Sequence, residues 1–152
     1  MGTAVRAPSK SLYNEDEAII CRHLTDRLIG VVIPAQSICV IVFYREQYRF
    51  VKEDMGDLGF ELTTVDSVQG REKDVVILLT TKTKISQDPE GEFINDYRRL
   101  NVAVTRSRHG QFIIGQADTL RQVPVWNTLL RWADSISAVV TAAQVPSYFQ
   151  NY

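Results

Sequence analysis

Four arginines fall within the thirteen residues RRLNVAVTRSRHG, 98–110, where the other residues read as the buried face of a helix. Guanidinium groups are costly to bury without anionic partners. Arg98, Arg99, Arg106 and Arg108 therefore either decorate a solvated face or gather something negative. The spacing predicts a helix over 95–109, ended by Gly110. On such a helix Arg99 and Arg106 lie about 20° apart, on one stripe with Val102 and Ala103, whose small size would admit another surface. Complementing the helix C-terminus, worth roughly 0.3–1 kcal/mol per cation, accounts for Arg106, Arg108 and His109 but not for Arg98 and Arg99 at the opposite end.

A second constellation lies in TTVDSVQGREKDVVILL. Gln69, Arg71, Glu72, Lys73 and Asp74 crowd five polar side chains into six positions around Gly70, which lets the backbone approach a ligand. A simple turn between two strands has no use for that density, although a solvated charged turn remains the alternative. Thr63, Thr64 and Ser67 just upstream have hydroxyls that can donate to phosphates without regard to base sequence. Strand ends and turn caps use the same residues.

The elements that must position these groups alternate between helix and strand. Asn14 with Glu17 three residues later forms a helix N-cap pattern opening NEDEAIICRHLTDRLIG, with Gly30 at its end. SICVIVF (37–43) is a short, β-branched apolar run and predicts a buried strand. REQYRFVKEDMGDLG is amphipathic and predicts a helix, and FELTTVDS a strand leading into the glycine-containing turn. DVVILLTT (74–81) is apolar on both faces, as a central parallel strand is. QDPEGEF reads as a loop, QFIIG as a further strand, and VPVWNTLLRWAD as a last helix with Trp126, Leu129, Leu130 and Ala133 on one side. The pattern predicts a parallel α/β sheet with ligands outside the carboxyl ends of its strands, where the turns after Val65 and Thr81 and the loop around Tyr44 would lie.

Bulk properties narrow the classes. A formal charge of −1 gives no global sign of a polyanion partner, so any basic surface is local. Cys21 and Cys39 have neither metal-ligand nor disulfide-framework spacing and read as reduced core residues. His23 and His109 have no partner at metal spacing, so no metal site is expected in this chain. No signal peptide and no apolar run near twenty residues is present, which predicts a cytoplasmic or nuclear protein with no membrane partner.

VDSVQGREKDVVIL followed by RRLNVAVTRSR resembles motifs V and VI of superfamily 1 helicases, in the branch that includes the nonsense-mediated-decay helicase. Weaker similarity reaches back to SLYNEDEA and forward to VPVWNTLLRWA. The resemblance implies a second, C-terminal RecA-like helicase domain: a P-loop NTPase-type parallel sheet flanked by helices, over 11–138, with a flexible segment at 1–10 and an extension at 139–152. By the same resemblance Arg106 is the arginine finger for the γ-phosphate of ATP held on the partner domain. Glu72 is the carboxylate for the nucleotide ribose, and Gln69 and Gly70 lie where nucleotide and nucleic acid are coupled. Arg99 and Arg108 are supporting cations. CVIVFYREQ is similar to the family's ITPYxxQ element: Tyr44 and Gln47 match, while Val42 and Phe43 replace its threonine and proline, and with them a contact to the nucleic-acid backbone. With Thr63, Thr64 and Ser67, Tyr44 makes up the expected nucleic-acid-binding set.

Two similar-looking segments do not carry over. DEAI (16–19) copies a Mg²⁺ motif but follows a helix cap instead of an apolar strand, and QYR (47–49) copies an adenine-stacking pair but falls inside a helix. No glycine is followed by lysine, so G-x-x-x-x-G-K-[ST] is absent. The expectation is half of an ATP site: ATP and Mg²⁺ are held mainly by the N-terminal RecA-like domain of the same parent protein, the partner strand is single-stranded RNA or DNA, and the chain alone is inactive as an ATPase. A non-catalytic RecA-like scaffold that binds nucleic acid or protein is the alternative. A response-regulator-type domain lacks the acidic cluster it would require.

Overall fold

The computed structural model describes residues 4–6, 12–30, 33–55, 59–67, 72–81 and 94–141. Four parallel strands form the central sheet: β3 (Ile38–Val42), β4 (Glu61–Thr64), β5 (Lys73–Leu79) and β6 (Ser107–Ile114), in the order β4-β3-β5-β6. The short β1 (Val5–Arg6) and β2 (Leu12–Tyr13) pair antiparallel, so part of the expected flexible segment is in a strand. Helices α1 (Glu15–Gly30) and α2 (Arg45–Met55) precede and follow β3, α3 (Tyr97–Val104) precedes β6, and α4 (Ala117–Leu120) and α5 (Pro124–Ser135) close the described chain. The expected parallel α/β sheet of RecA-like type is borne out.

The alternating side chains of β3 and β5 explain the two-sided apolar run. Ile38, Val40, Val42, Val75, Ile77 and Leu79 pack with Ala18, Cys21, Leu24 and Leu28 of α1 and Val51 of α2. Cys39, Ile41, Val76 and Leu78 face the other layer, with Phe43, Leu100, Ala103, Leu120 and Trp126. The Trp126 ring meets Phe43 edge-on at 5.6 Å, and its indole N–H donates to the Ile94 carbonyl at 2.9 Å. Both faces being covered, a continuous apolar strand is what the central position demands. Both cysteines are free and buried, and burial pushes each thiol up to about 12. No helix among the described residues is long and apolar enough to cross a membrane.

Two expectations are corrected. The arginine helix ends at Val104, not at His109. Asp96 caps its start, accepting from the Arg98 and Arg99 amides, and the Thr105 hydroxyl closes its end by donating to the Asn101 carbonyl at 2.7 Å. Ser107 then joins the sheet beside Lys73, whose amide donates to the Arg106 carbonyl at 2.9 Å. Pairing with the buried β5 outweighs another helical turn of Arg-Ser-Arg-His, so Gly110 lies within β6 and the common Arg99/Arg106 stripe does not exist. The second correction concerns the polar stretch after β4. Parallel strands cannot be joined by a local turn, so Thr64 and Lys73 stand at opposite ends of the sheet, and so do Ser67 and Glu72.

Candidate functional site

The sheet thus has two polar edges. At its carboxyl end lie Thr64, the turn Val65–Ser67, Tyr44 and Thr81; at its amino end lie Glu72, Arg106 and Arg108. The turn after Val65, Thr81 itself and the loop around Tyr44 lie at the carboxyl ends as expected, whereas Arg106 occupies the junction between α3 and β6, which the strand register carries to the other edge. It is half-buried, its Nε is buried with no hydrogen-bond partner, and no carboxylate among the described residues pairs with it. An arginine with a structural role would be matched to an acid, since an unpaired buried donor is unfavourable. Glu72 is exposed, 3.6 Å from Arg108, which also approaches Asp74 at 3.9 Å. Gln69 and Gly70 lie outside the described residues.

Helix α3 bridges the two edges. Arg99, in its first turn, donates through Nε to Asp66 at 2.9 Å and through a terminal nitrogen to Asp96 at 3.1 Å. That ties the helix start to the turn carrying Ser67, while the helix end delivers Arg106. Thr64 is half-buried and Ser67 exposed, whereas Thr63 is buried and donates to the Thr64 carbonyl. Tyr44 is only 9% exposed and belongs to the core beside Phe43. The expected nucleic-acid set is therefore split between two reachable hydroxyls and two residues that lie beneath the surface.

Sequence reasoning missed a buried polar lock at the carboxyl edge. The Asn14 side chain accepts from the Glu17 amide at 3.1 Å, as the cap pattern predicts. Glu17 does not return the bond to Asn14. Its carboxyl accepts from the Thr81 amide at 2.8 and 3.0 Å, while Asn14 Nδ2 donates to the Thr81 carbonyl at 3.2 Å. Gln47 completes the lock, accepting from the Asn14 amide at 2.6 Å and donating back to its carbonyl at 3.1 Å. Thr81 is held at φ 68°, a conformation rare for a β-branched residue and sustained here because both its backbone groups are tied by side chains. Glu17 is 1% exposed; burial pushes its carboxyl up to about 8 against the lowering pull of the Thr81 and Thr80 amides. The signal was present in Asn14, Glu17 and Gln47, but local spacing cannot reveal bonds across 33 to 67 residues. DEAI and QYR lie within α1 and α2.

The family model described as an AAA domain matches residues 2–118, more than half of the chain. The chain belongs to this AAA domain family. An uncharacterised ATP-dependent helicase of Methanocaldococcus jannaschii is 33% identical over 130 residues, 84% of this chain and 18% of the relative. Regulator of nonsense transcripts 1 of Dictyostelium discoideum is 36% identical over 136 residues, 83% of this chain and 10% of the relative. The DNA polymerase alpha-associated DNA helicase A of Saccharomyces cerevisiae is 36% identical over 116 residues, 74% of this chain and 17% of the relative. The resemblance to the nonsense-mediated-decay type of helicase domain is borne out. This AAA domain spans less than a fifth of the length of each of these relatives.

Arg106 presents a half-buried guanidinium with no carboxylate partner among the described residues, and Glu72 an exposed carboxylate. Among the described residues no group of three or more His, Cys, Asp or Glu could hold a metal ion, so they supply no Mg²⁺ cage.

Proposed function

We propose that this domain is the C-terminal motor half of an ATP-dependent helicase or translocase that moves on single-stranded RNA or DNA in the cytoplasm or nucleus. Arg106 carries the reading: a half-buried guanidinium at a sheet edge, with no partner for its Nε and no carboxylate paired to it among the described residues. It is the arginine finger that meets the γ-phosphate of ATP on the N-terminal RecA-like domain of the parent protein, stabilising charge on the transferring phosphoryl group. Glu72 accepts from the ribose, and Gln69 and Gly70 take part in coupling nucleotide to strand. Mg²⁺, bound with ATP on the partner domain, would neutralise phosphate charge. At the other edge Thr64 and Ser67 donate to the nucleic-acid backbone, and Thr63 and Tyr44 support them from beneath. Helix α3, tied to Asp66 at one end and carrying Arg106 at the other, links phosphate contact to strand grip as the domains close. The 152-residue chain alone does not hydrolyse ATP.

In the full-length parent, Arg106→Ala is expected to abolish strand-stimulated ATPase while single-strand affinity stays within about two-fold; persistent turnover would refute the finger. A second reading, a non-catalytic scaffold, is favoured by one observation: Val42 and Phe43, in place of the family's threonine and proline, are sealed in the core. Titrating the chain with single strands at two salt concentrations sets apart a protein-binding scaffold, which lacks the steep salt dependence of backbone contacts, and the Arg106→Ala ATPase comparison sets apart a scaffold that binds nucleic acid.

A further inference from the structure

The amino end of β6 contains an irregularity that the nucleotide site has not yet used. Lys73 on β5 is opposite Ser107 on β6, but Val75 is opposite Gly110, so two steps on β5 match three on β6. The extra residue lies in the Arg108–His109 pair. In a regular strand these neighbours would point to opposite faces. Here both reach the same carboxylate, Arg108 at 3.9 Å and His109 at 3.8 Å from Asp74. Bulges re-aim side chains in this way, and they recur beside functional sites. The consequence is that the Arg108 Nε comes within 3.6 Å of Glu72, the residue just before β5.

We propose that Arg108 is a positioning residue for Glu72, aimed by the β6 bulge, and that it sharpens recognition of the ribose hydroxyls of the nucleotide. The inference rests on the reading of Glu72 as the ribose-contacting carboxylate. Glu72 is exposed at a strand end and, unassisted, spreads over many rotamers. A guanidinium anchored from behind by Asp74 narrows that spread and keeps the carboxylate turned outward. Both side chains are 56% exposed, so the effect is modest. Pairs of this kind change an equilibrium about two- to five-fold.

The test is equilibrium binding of ATP, 2′-deoxy-ATP and 3′-deoxy-ATP to the full-length parent helicase, by displacement of a fluorescent nucleotide. Four variants are compared with wild type: Glu72→Gln, Arg108→Gln, Arg108→Lys and the Glu72→Gln/Arg108→Gln double. Glu72→Gln is expected to erase the preference for ATP over at least one deoxy analogue. Arg108→Gln should weaken ATP about two- to five-fold and leave that analogue nearly unchanged. Arg108→Lys should recover part of the loss, and the double variant should be no worse than Glu72→Gln. Equal weakening of all three nucleotides, no change, or tighter ATP binding by Arg108→Gln overturns the inference while leaving Glu72 in place. If Glu72→Gln itself keeps the preference, the ribose reading fails and this inference with it.

Discussion

Replacing Glu17 by glutamine removes the one buried ionisable carboxyl of the Asn14–Gln47–Thr81 lock while keeping an oxygen to accept from the Thr81 amide. Burial raises this carboxyl from 4.5 to about 8. At about 1.4 kcal/mol per pH unit that difference is on the order of 5 kcal/mol between folded and unfolded states. The sign follows from which state holds the proton. Between roughly pH 4.5 and 8 the folded chain keeps Glu17 protonated and the unfolded chain does not, so this contribution is fully present below the lower value. It is lost as pH rises to the upper one. Urea unfolding of wild type and Glu17→Gln at pH 5, 6.5, 8 and 9 measures it. The wild type should lose several kcal/mol relative to the variant from pH 5 to 8, and the gap should stay constant above. Parallel stability curves across the range would show that Glu17 is not held neutral, and the reasoning from burial would fail.

Other substitutions probe the packing. A Cβ at Gly115 would meet Thr80 Oγ1 at 2.5 Å and Leu120 Cδ1 at 2.7 Å, so Gly115→Ala should lower stability by roughly 1–3 kcal/mol, read as a fall in melting temperature. Trp126→Ala, which empties the space against Phe43 and orphans the Ile94 carbonyl, should cost about 3–5 kcal/mol in the same assay. Cys21 and Cys39 should resist alkylation at neutral pH until the chain unfolds, because burial holds both thiols neutral; modification at the rate of a free thiol would contradict their placement.

Most of the fold was legible because its signals are local. The two-sided apolar run of β5 announced a covered central strand, the Asn14 cap opened α1 as expected, and Trp126, Leu129 and Leu130 faced the core from α5. The helix through Arg106 was misread for a physical reason: Thr105-Arg106-Ser107-Arg108 has no strong helix-stop residue, and only the hydrogen bonds offered by β5 pull it into the sheet. The same non-local effect put Arg106 and Glu72 at the amino edge, away from Thr64 and Ser67. The bulge that turns Arg108 toward Glu72 left no trace in spacing, nor did the reach of Glu17 to Thr81 across 64 residues.

The central claim concerns charge that Arg106 meets only when a phosphoryl group is in transit. Its most direct test compares affinities of the parent helicase for ADP alone and for ADP with tetrafluoroaluminate, in wild type and Arg106→Ala. The account predicts that wild type binds the transition-state mimic about 10²-fold or more tighter than ADP, and that the variant keeps its ADP affinity but loses most of this gap. An undiminished gap in Arg106→Ala would contradict it.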